Sequence, residues 1–262
     1  MDKGTSFFTT PSFSATTRAI FNTMPQWFSF AVGLLIAYPL LINSLRYRRL
    51  KQLQKKFYFP TRESMAKMTD EEAFQIQKET AQLEFPFMFV KAGQFALFRM
   101  VENSPTSQRA FLSVARTRFL HSGYQASGKI LDTDLLYTLA LFAVQPVNFI
   151  AAFEWRPLSD LERCAIGTFW KSLGDALGIS SDILPSGKTG FRDGIHWLEE
   201  VDTWSQEYEV KYMVPDAQNR ESADQATAVL LYNLPKVFHP VGLQFTSFMM
   251  DDRLRKAMLY VE

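Results

Sequence analysis

The stretch VARTRFLHSGYQASGKI contains three side chains that could do chemistry together: Arg116, Arg118 and His121. The chain has three histidines in all, and this one follows two arginines in a mostly apolar neighbourhood. An imidazole binds metals and transfers protons, and a guanidinium binds carboxylates through paired hydrogen bonds. On a helix, Arg118 and His121 lie about one turn apart, so one ligand can contact both.

A helical wheel over residues 107–122 gathers apolar side chains on one face: Phe111, Val114, Ala115 and Phe119. Arg118 falls within that face and His121 borders it, which predicts that both point into the protein. One interpretation is structural: the arginine pairs with an Asp or Glu elsewhere, and a backbone carbonyl satisfies the histidine. The other is a cofactor with an acceptor for the histidine and carboxylates for the arginine. Haem fits this description, because its iron binds imidazole and its propionates bind guanidinium groups.

The other two histidines are weaker candidates. His196 lies in GIHWLEE, where it is either a helix-surface residue or a base in the first turn of a helix. His239 precedes Pro240 in a predicted loop. The sequence has no HExxH motif, no two-histidine-one-carboxylate spacing and no glycine-rich phosphate loop, since LPSGKTG lacks the Walker spacing. The GxSxG motif of the α/β hydrolases is also absent.

The composition is unusually apolar. Apolar residues make up 47% of the 262 residues and aromatic residues 15%, which indicates a large apolar cavity, a membrane, or both. The formal net charge of +1 does not favour nucleic acid as a partner. Cys164 is the single cysteine, so an internal disulfide and a CxxC metal or redox site are excluded.

An uncharged apolar run, WFSFAVGLLIAYPLLINSL, occupies residues 27–45. Its length suits a membrane-spanning helix, which needs roughly 20 apolar residues. The basic tract RYRRLKQLQKK follows it at once and few basic residues precede it, so the positive-inside rule places the later part of the chain in the cytosol. A cleaved signal peptide would carry its basic residues before the apolar run and a small-residue cleavage site after it. The pattern therefore favours a single-pass anchor.

Four segments follow from this interpretation. They are a lumenal tail at residues 1–26, a transmembrane helix at 27–45, a basic juxtamembrane linker at 46–59 and a helical domain at 60–262. In the domain, capping boxes at Thr69 with Glu72 and at Ser159 with Glu162 start helices, and Gly178 ends one. No convincing run of alternating strand residues occurs, so the predicted fold class is all-α.

A second uncharged segment, at residues 135–153, is also long enough to span a bilayer. Polar residues and Pro146 interrupt it, and it lacks basic flanks. These features favour a buried, kinked core helix over a second transmembrane span.

Several stretches together resemble one family of proteins. They are FYFPTRESMAKMTDEEAFQIQKETAQLEFPFMF, KAGQFALFR, LHSGYQASGKILDTDLLYTLALFAVQPVNFI, EWRPLSDLERCAIGTFWKSLGDALGI and FRDGIHWLEEVDTWSQEYEVKYMVP. These stretches look like the fungal ER-bound oxygenases of the mycophenolic acid pathway type (MpaB), which share a catalytic domain with the rubber oxygenases. The similarity covers nearly everything after Tyr47.

The resemblance implies a globin-like helical domain that binds haem b and cleaves a carbon–carbon double bond of an isoprenoid-like chain with dioxygen. It implies that His121 is the axial ligand of the haem iron, with Arg118 and Arg116 as its basic neighbours. It also implies attachment to the endoplasmic reticulum membrane, with an apolar substrate and the lipid bilayer as partners.

The chain departs from the family pattern near residues 100–105. Family members usually carry a further helical segment there, with an Arg and a Thr that resemble the distal polar residues of the rubber oxygenases. Here only residues 101–104 bridge the gap, and the chain stops at MLYVE, where relatives tend to continue. The alternative function is therefore a catalytically impaired relative that acts as a membrane-tethered helical protein and binds a lipid or a partner.

Overall fold

The computed structural model describes residues 26–81 and 104–260. The chain divides into two compact units, Met1–Tyr58 and Phe59–Glu262. Helices make up the regular structure of both units, and the described residues contain no strand, which confirms the all-α prediction. Residues 1–25 of the lumenal tail predicted at residues 1–26 lie outside the described residues.

The first unit contains helices α1, Gln26–Arg46, and α2, Arg48–Lys56. Helix α1 coincides with the predicted membrane span and continues through Pro39. Within it, Ala31–Ile42 forms an uninterrupted apolar stretch. Large apolar side chains such as Leu35 are exposed to the surroundings, as expected for a helix surface that meets lipid. The membrane assignment of α1 stays a prediction.

The described residues of the second unit form nine α-helices, the longest of 22 residues. They are α3 Arg62–Met65, α4 Asp70–Glu79, α5 Gln108–Ala126, α6 Asp132–Phe153, α7 Asp160–Leu177, α8 Gly194–Tyr212, α9 Ala217–Leu231, α10 His239–Met249 and α11 Asp252–Ala257. A 3₁₀ turn, Lys236–Phe238, precedes α10.

Local signals set the ends of several helices as predicted. Both capping boxes form, Thr69 with Glu72 before α4 and Ser159 with Glu162 before α7. Helix α7 ends at Gly178, whose φ of 76° lies in the left-handed region where glycine is favoured. Helix α6 begins without a hydrogen bond to the side chain of its N-cap residue. Its N-cap residue is Leu131, whose N–H donates to Asp134 at 2.9 Å.

The core lies where α6, α7 and α8 pack together. Among the described residues, α6 is the helix that is long and apolar enough to cross a membrane. Its residues Leu136, Ala140 and Ala143 are fully buried in the core, however, which agrees with the interpretation as a core helix. Helices α7 and α8 cross closely. A Cβ atom on Gly167 would overlap the carbonyl oxygen of Gly194, so the absence of a side chain at Gly167 permits this crossing.

A buried ion pair fixes the start of α7. Arg156 donates two hydrogen bonds of 2.8 Å to the two carboxylate oxygens of Glu162, and the side chains are only 3% and 2% exposed. Glu162 also accepts from the backbone and hydroxyl of Ser159 and from the hydroxyl of Thr80, beyond the end of α4. Burial alone would raise the pKa of Glu162, but these hydrogen bonds and the Arg156 charge lower it.

Candidate functional site

Helix α5 carries the predicted site residues, and it turns His121 inward. Ser107 starts the helix by accepting a hydrogen bond from the Ala110 N–H at 3.1 Å. The buried and half-buried positions follow one stripe: Ala110, Ser113, Val114, Thr117, His121 and Gln125. His121 therefore lies near the middle of the face that packs on the protein, and α5 packs against α7.

The predicted apolar face was wrong by about a quarter of the helix circumference. Phe111 and Phe119 are 72% and 77% exposed, and Arg118 is exposed as well. The prediction weighted the large apolar side chains. The face that packs instead includes the small side chain of Ala110, which allows the helix backbone to approach its neighbours closely.

The ring nitrogen Nδ1 of His121 is buried and has no hydrogen-bond partner within the described part of the chain. A buried polar atom without a partner costs about 1–3 kcal/mol. The structural interpretation, in which a carbonyl satisfies the ring, is therefore not met at this atom. Glu154 Oε1 and Arg255 Nε share this condition, but neither is a ligand type found on haem iron.

An imidazole in this state fits the chemistry of an axial haem ligand. A neutral histidine binds a metal through one ring nitrogen, and the other nitrogen usually donates a hydrogen bond that orients the ring. His121 is a residue type that binds haem iron, and it lies on the inward face of α5. A cofactor bound beside it would give the buried Nδ1 a partner. The described residues contain no group of three or more His, Cys, Asp or Glu side chains that could hold a metal ion.

The guanidinium of Arg118, on α5, lies against the C-terminal end of α7. Its Nη1 donates to the carbonyl oxygen of Ala176 at 3.5 Å, and the guanidinium rests against Gly178. A positive charge is favourable there, because the carbonyl groups at the end of a helix carry partial negative charge. The ion pairs formed among residues 26–81 and 104–260 include neither Arg118 nor Arg116, which is also exposed.

His196 lies in the first turn of α8, where it braces the loop that precedes the helix. Its Nδ1 accepts from the Arg192 backbone N–H at 3.1 Å, so we assign the proton of the neutral ring to Nε2. That nitrogen lies 2.9 Å from Glu200, which also accepts from the Ser186 hydroxyl at 2.6 Å. Burial would raise the pKa of Glu200, but the hydrogen bonds from Ser186 and the His196 ring lower it.

His239 begins α10, where the sequence predicted a loop. Its Nε2 lies 2.9 Å from the carbonyl oxygen of Leu234, so this ring has a backbone partner. His196 and His239 are thus held by contacts within the domain. Among the three histidines, His121 is the one with a buried ring nitrogen that no described group satisfies.

A polar cleft in the second unit was not predicted from the sequence. The cleft has a volume of about 620 Å³ and lies between α7, the loop that follows it and the start of α8. Lys171 pairs with Asp175 on its wall, and Ser172 donates to Asp70 at 2.5 Å. These charged walls do not suit an apolar chain, and the cleft is therefore not our candidate for an isoprenoid-binding site.

Comparison with known proteins found close relatives. The chain is 88% identical over 298 positions to the ER-bound oxygenase mpaB of Penicillium roqueforti (strain FM164), with all of both chains covered. It is 70% identical to the ER-bound oxygenase mpaB' of Penicillium brevicompactum, over 95% of this chain and 68% of that one. For the mpaB of the same fungus, the identity is 67%, over 85% of this chain and 66% of that one.

No family model matches the chain. No solved structure matches it either. The alignment with the Penicillium roqueforti protein has 298 positions against 262 residues here, so 36 positions lie opposite gaps in this chain. The shortening predicted near residues 100–105 and at the C-terminus stays a prediction, and residues 100–103 lie outside the described residues.

Proposed function

Because the chain belongs to the mpaB family of ER-bound oxygenases, we propose that it is a haem-dependent oxygenase that cleaves a carbon–carbon double bond of an isoprenoid or lipid-like chain. An oxygenase role at the endoplasmic reticulum follows from the family. The haem cofactor and the bond cleaved are our proposal. The observation that supports it is the buried Nδ1 of His121, which has no described partner on the face of α5 that packs inward.

In this proposal, His121 holds the haem iron, and Arg118 and Arg116 bind the propionates. Haem b, when bound, supplies the iron that binds and activates dioxygen. His121 is half-buried on the packed side of α5, and its Nδ1 is shielded from bulk water. Arg118 has an exposed guanidinium whose positive charge is available to a carboxylate.

We further propose that residues 27–45 anchor the protein in the membrane once, with the second unit in the cytosol. The continuous helix over Gln26–Arg46 supports the span, and the exposed Arg48 and Arg49 just after it support the orientation. An anchored enzyme meets an apolar substrate where such molecules partition, namely in the bilayer.

A second candidate function is a membrane-tethered protein that binds a lipid or a partner without turnover. The 36 positions that this chain lacks relative to the Penicillium roqueforti protein favour it, because a chain that lacks residues of an oxygenase can lack side chains that the reaction needs. The two candidates differ in one measurable property. The oxygenase binds haem in stoichiometric amount, and the tethered protein does not require it.

The experiment measures haem bound per chain in full-length protein purified in detergent, from the Soret band and the pyridine haemochrome. We expect His121→Ala to lose the haem signal while the helical circular dichroism stays near wild type. His239→Ala is the matched control, since its ring contacts only a backbone carbonyl among the described residues, and it should retain haem. Full haem occupancy in His121→Ala would end the ligand assignment. If the wild-type protein binds no haem after reconstitution, the oxygenase function is refuted and the tethered-protein function replaces it.

A further inference from the structure

Helices α9 and α10 form a hairpin whose tip is apolar and lacks acidic residues. From Gln225 to Met250 the sequence contains no Asp or Glu, and Lys236 is the only Lys or Arg. The two helices pack together near the tip, where a Cβ on Gly242 would lie 2.5 Å from the Leu231 side chain. A larger residue at 242 would force the Leu231 side chain to move, so the two helices are closely packed where they meet.

The large apolar side chains of this tip point away from the domain. Tyr232 is 83% exposed and Val237 is 77% exposed, although both would be expected to seek burial. The exposed large apolar residues of the tip follow one another along the chain: Val229, Leu230, Tyr232, Leu234, Val237, Phe238 and Val241. A surface of this kind marks an interaction site, because soluble proteins seldom expose contiguous apolar patches of this composition.

We propose that the hairpin tip inserts into the interfacial layer of a lipid bilayer and gives the second unit its own membrane contact, in addition to the anchor. The charge pattern selects lipid over a protein partner. Protein interfaces surround their apolar centre with a polar rim, whereas this segment has no acid and a single lysine, a charge that suits anionic lipid headgroups. Tyr232 and His239 have an apolar body and a polar end, as residues at the membrane interface do.

The known association of the family with the endoplasmic reticulum supplies the membrane for this contact. Membrane contact by the tip requires neither bound haem nor turnover, because the exposure and charge of the tip residues are what favour it. We therefore expect a bilayer to shield the tip from water. The shielding should come from lipid chains and not from a second copy of the protein.

The test uses the full chain and its single native cysteine. Cys164 is fully buried, so thiol reagents should leave the native protein unlabelled, and it serves as the blank. Val237→Cys places an environment-sensitive NBD fluorophore at the tip. Ser222→Cys places the same label on exposed α9 surface outside the tip and is the matched control. Both proteins are reconstituted in vesicles of phosphatidylcholine and phosphatidylinositol, and circular dichroism checks their folding.

We expect nitroxide groups on the lipid acyl chains to remove most of the emission at position 237, while aqueous iodide has little effect there. The label at position 222 should show the opposite pattern. Quenching of position 237 by iodide to the same degree as position 222 would overturn the proposal, since the tip would then lie in water. Shielding from both quenchers that weakens as the protein is diluted in lipid would also overturn it, in favour of a contact between copies.

A second pair of variants tests the apolar character directly. With the label at Tyr232→Cys, the change Val237→Glu should reduce quenching by the lipid nitroxide, and Val237→Leu should leave it unchanged. Equal quenching in the two variants would contradict insertion of the tip. Haem content, measured on the same samples, should be the same in both, which separates this result from the outcome for the proposed function.

Discussion

Replacing Arg156 by leucine should cost about 3–5 kcal/mol of the free energy of unfolding, because it leaves Glu162 as a buried charge without its cationic partner. The structure supports a value in this range, since both side chains are almost fully buried and are joined by two hydrogen bonds of 2.8 Å. Such a loss is a large part of the roughly 5–15 kcal/mol that stabilises an ordinary domain. Urea unfolding of the detergent-solubilised full chain, followed by tryptophan fluorescence, measures it.

Arg163→Leu is the matched control for this change. Arg163 lies on the same helix, is 31% exposed and pairs with Asp160 and Glu199 at 3.8 and 3.5 Å. Pairs of this kind contribute about 0–1 kcal/mol. The double variant Arg156→Leu with Glu162→Leu should recover much of the lost stability, because it removes the unpaired charge. If Arg156→Leu and Arg163→Leu destabilised the domain equally, the reasoning would be refuted.

The same pair predicts the pH response. The folded-state pKa of Glu162 is lowered below its usual value of 4.5, so the wild-type stability from this group is present above that pH. It is lost as the pH falls through the folded-state pKa. In Arg156→Leu, protonation of the buried carboxylate removes its unpaired charge. The difference in stability between the two proteins should therefore narrow as the pH falls toward 4.5 and continue to narrow below it. A difference that widens on acidification would contradict the assignment.

Three further outcomes follow from the described contacts. Gly167→Ala should lower the free energy of unfolding, measured by urea titration, by about 1–3 kcal/mol, since its Cβ would overlap a carbonyl of α8. Gly123 has open space around it, so Gly123→Ala should leave the free energy of unfolding unchanged or raise it. Glu200→Ala should speed tryptic cleavage of the loop between α7 and α8, because it removes the hydrogen-bond acceptor for Ser186 and His196. Glu199→Ala is the control and should not change the rate. Equal cleavage rates in the two variants would contradict the role of Glu200 in holding this loop. Protease added to intact microsomes with their cytosolic side outward should digest the region after α1, and protection of that region without detergent would reverse the predicted orientation.

The features that the sequence predicted correctly depend on residues close together in the chain. The capping boxes at Thr69 and Ser159 and the helix end at Gly178 use atoms within a few residues of each other, so their residue types are sufficient to predict them. The family resemblance also needed only the sequence, and the relatives confirm it.

The rotation of α5 was not predictable from the same information. The large side chains of Phe111 and Phe119 indicated the buried face on the wheel, but the neighbours that α5 meets decide which side is covered. The hydrogen bonds around His196 could be predicted only in part, for a similar reason. Its partner Glu200 lies one turn further along the helix and could be foreseen, whereas the Arg192 N–H that fixes the ring depends on the path of the preceding loop.

The close crossing of α7 and α8 also limits how the domain can move. With Gly167 against the Gly194 backbone, a slide of one helix along the other by a single residue would bring a side chain into a space that holds none. We therefore expect the pair to behave as one rigid body, with the slowest amide hydrogen exchange of the domain at the crossing. Among the described helices, α5 is then the one whose displacement relative to this pair would open space for a large ligand beside His121, and α5 should exchange its amide protons before α7 and α8 do.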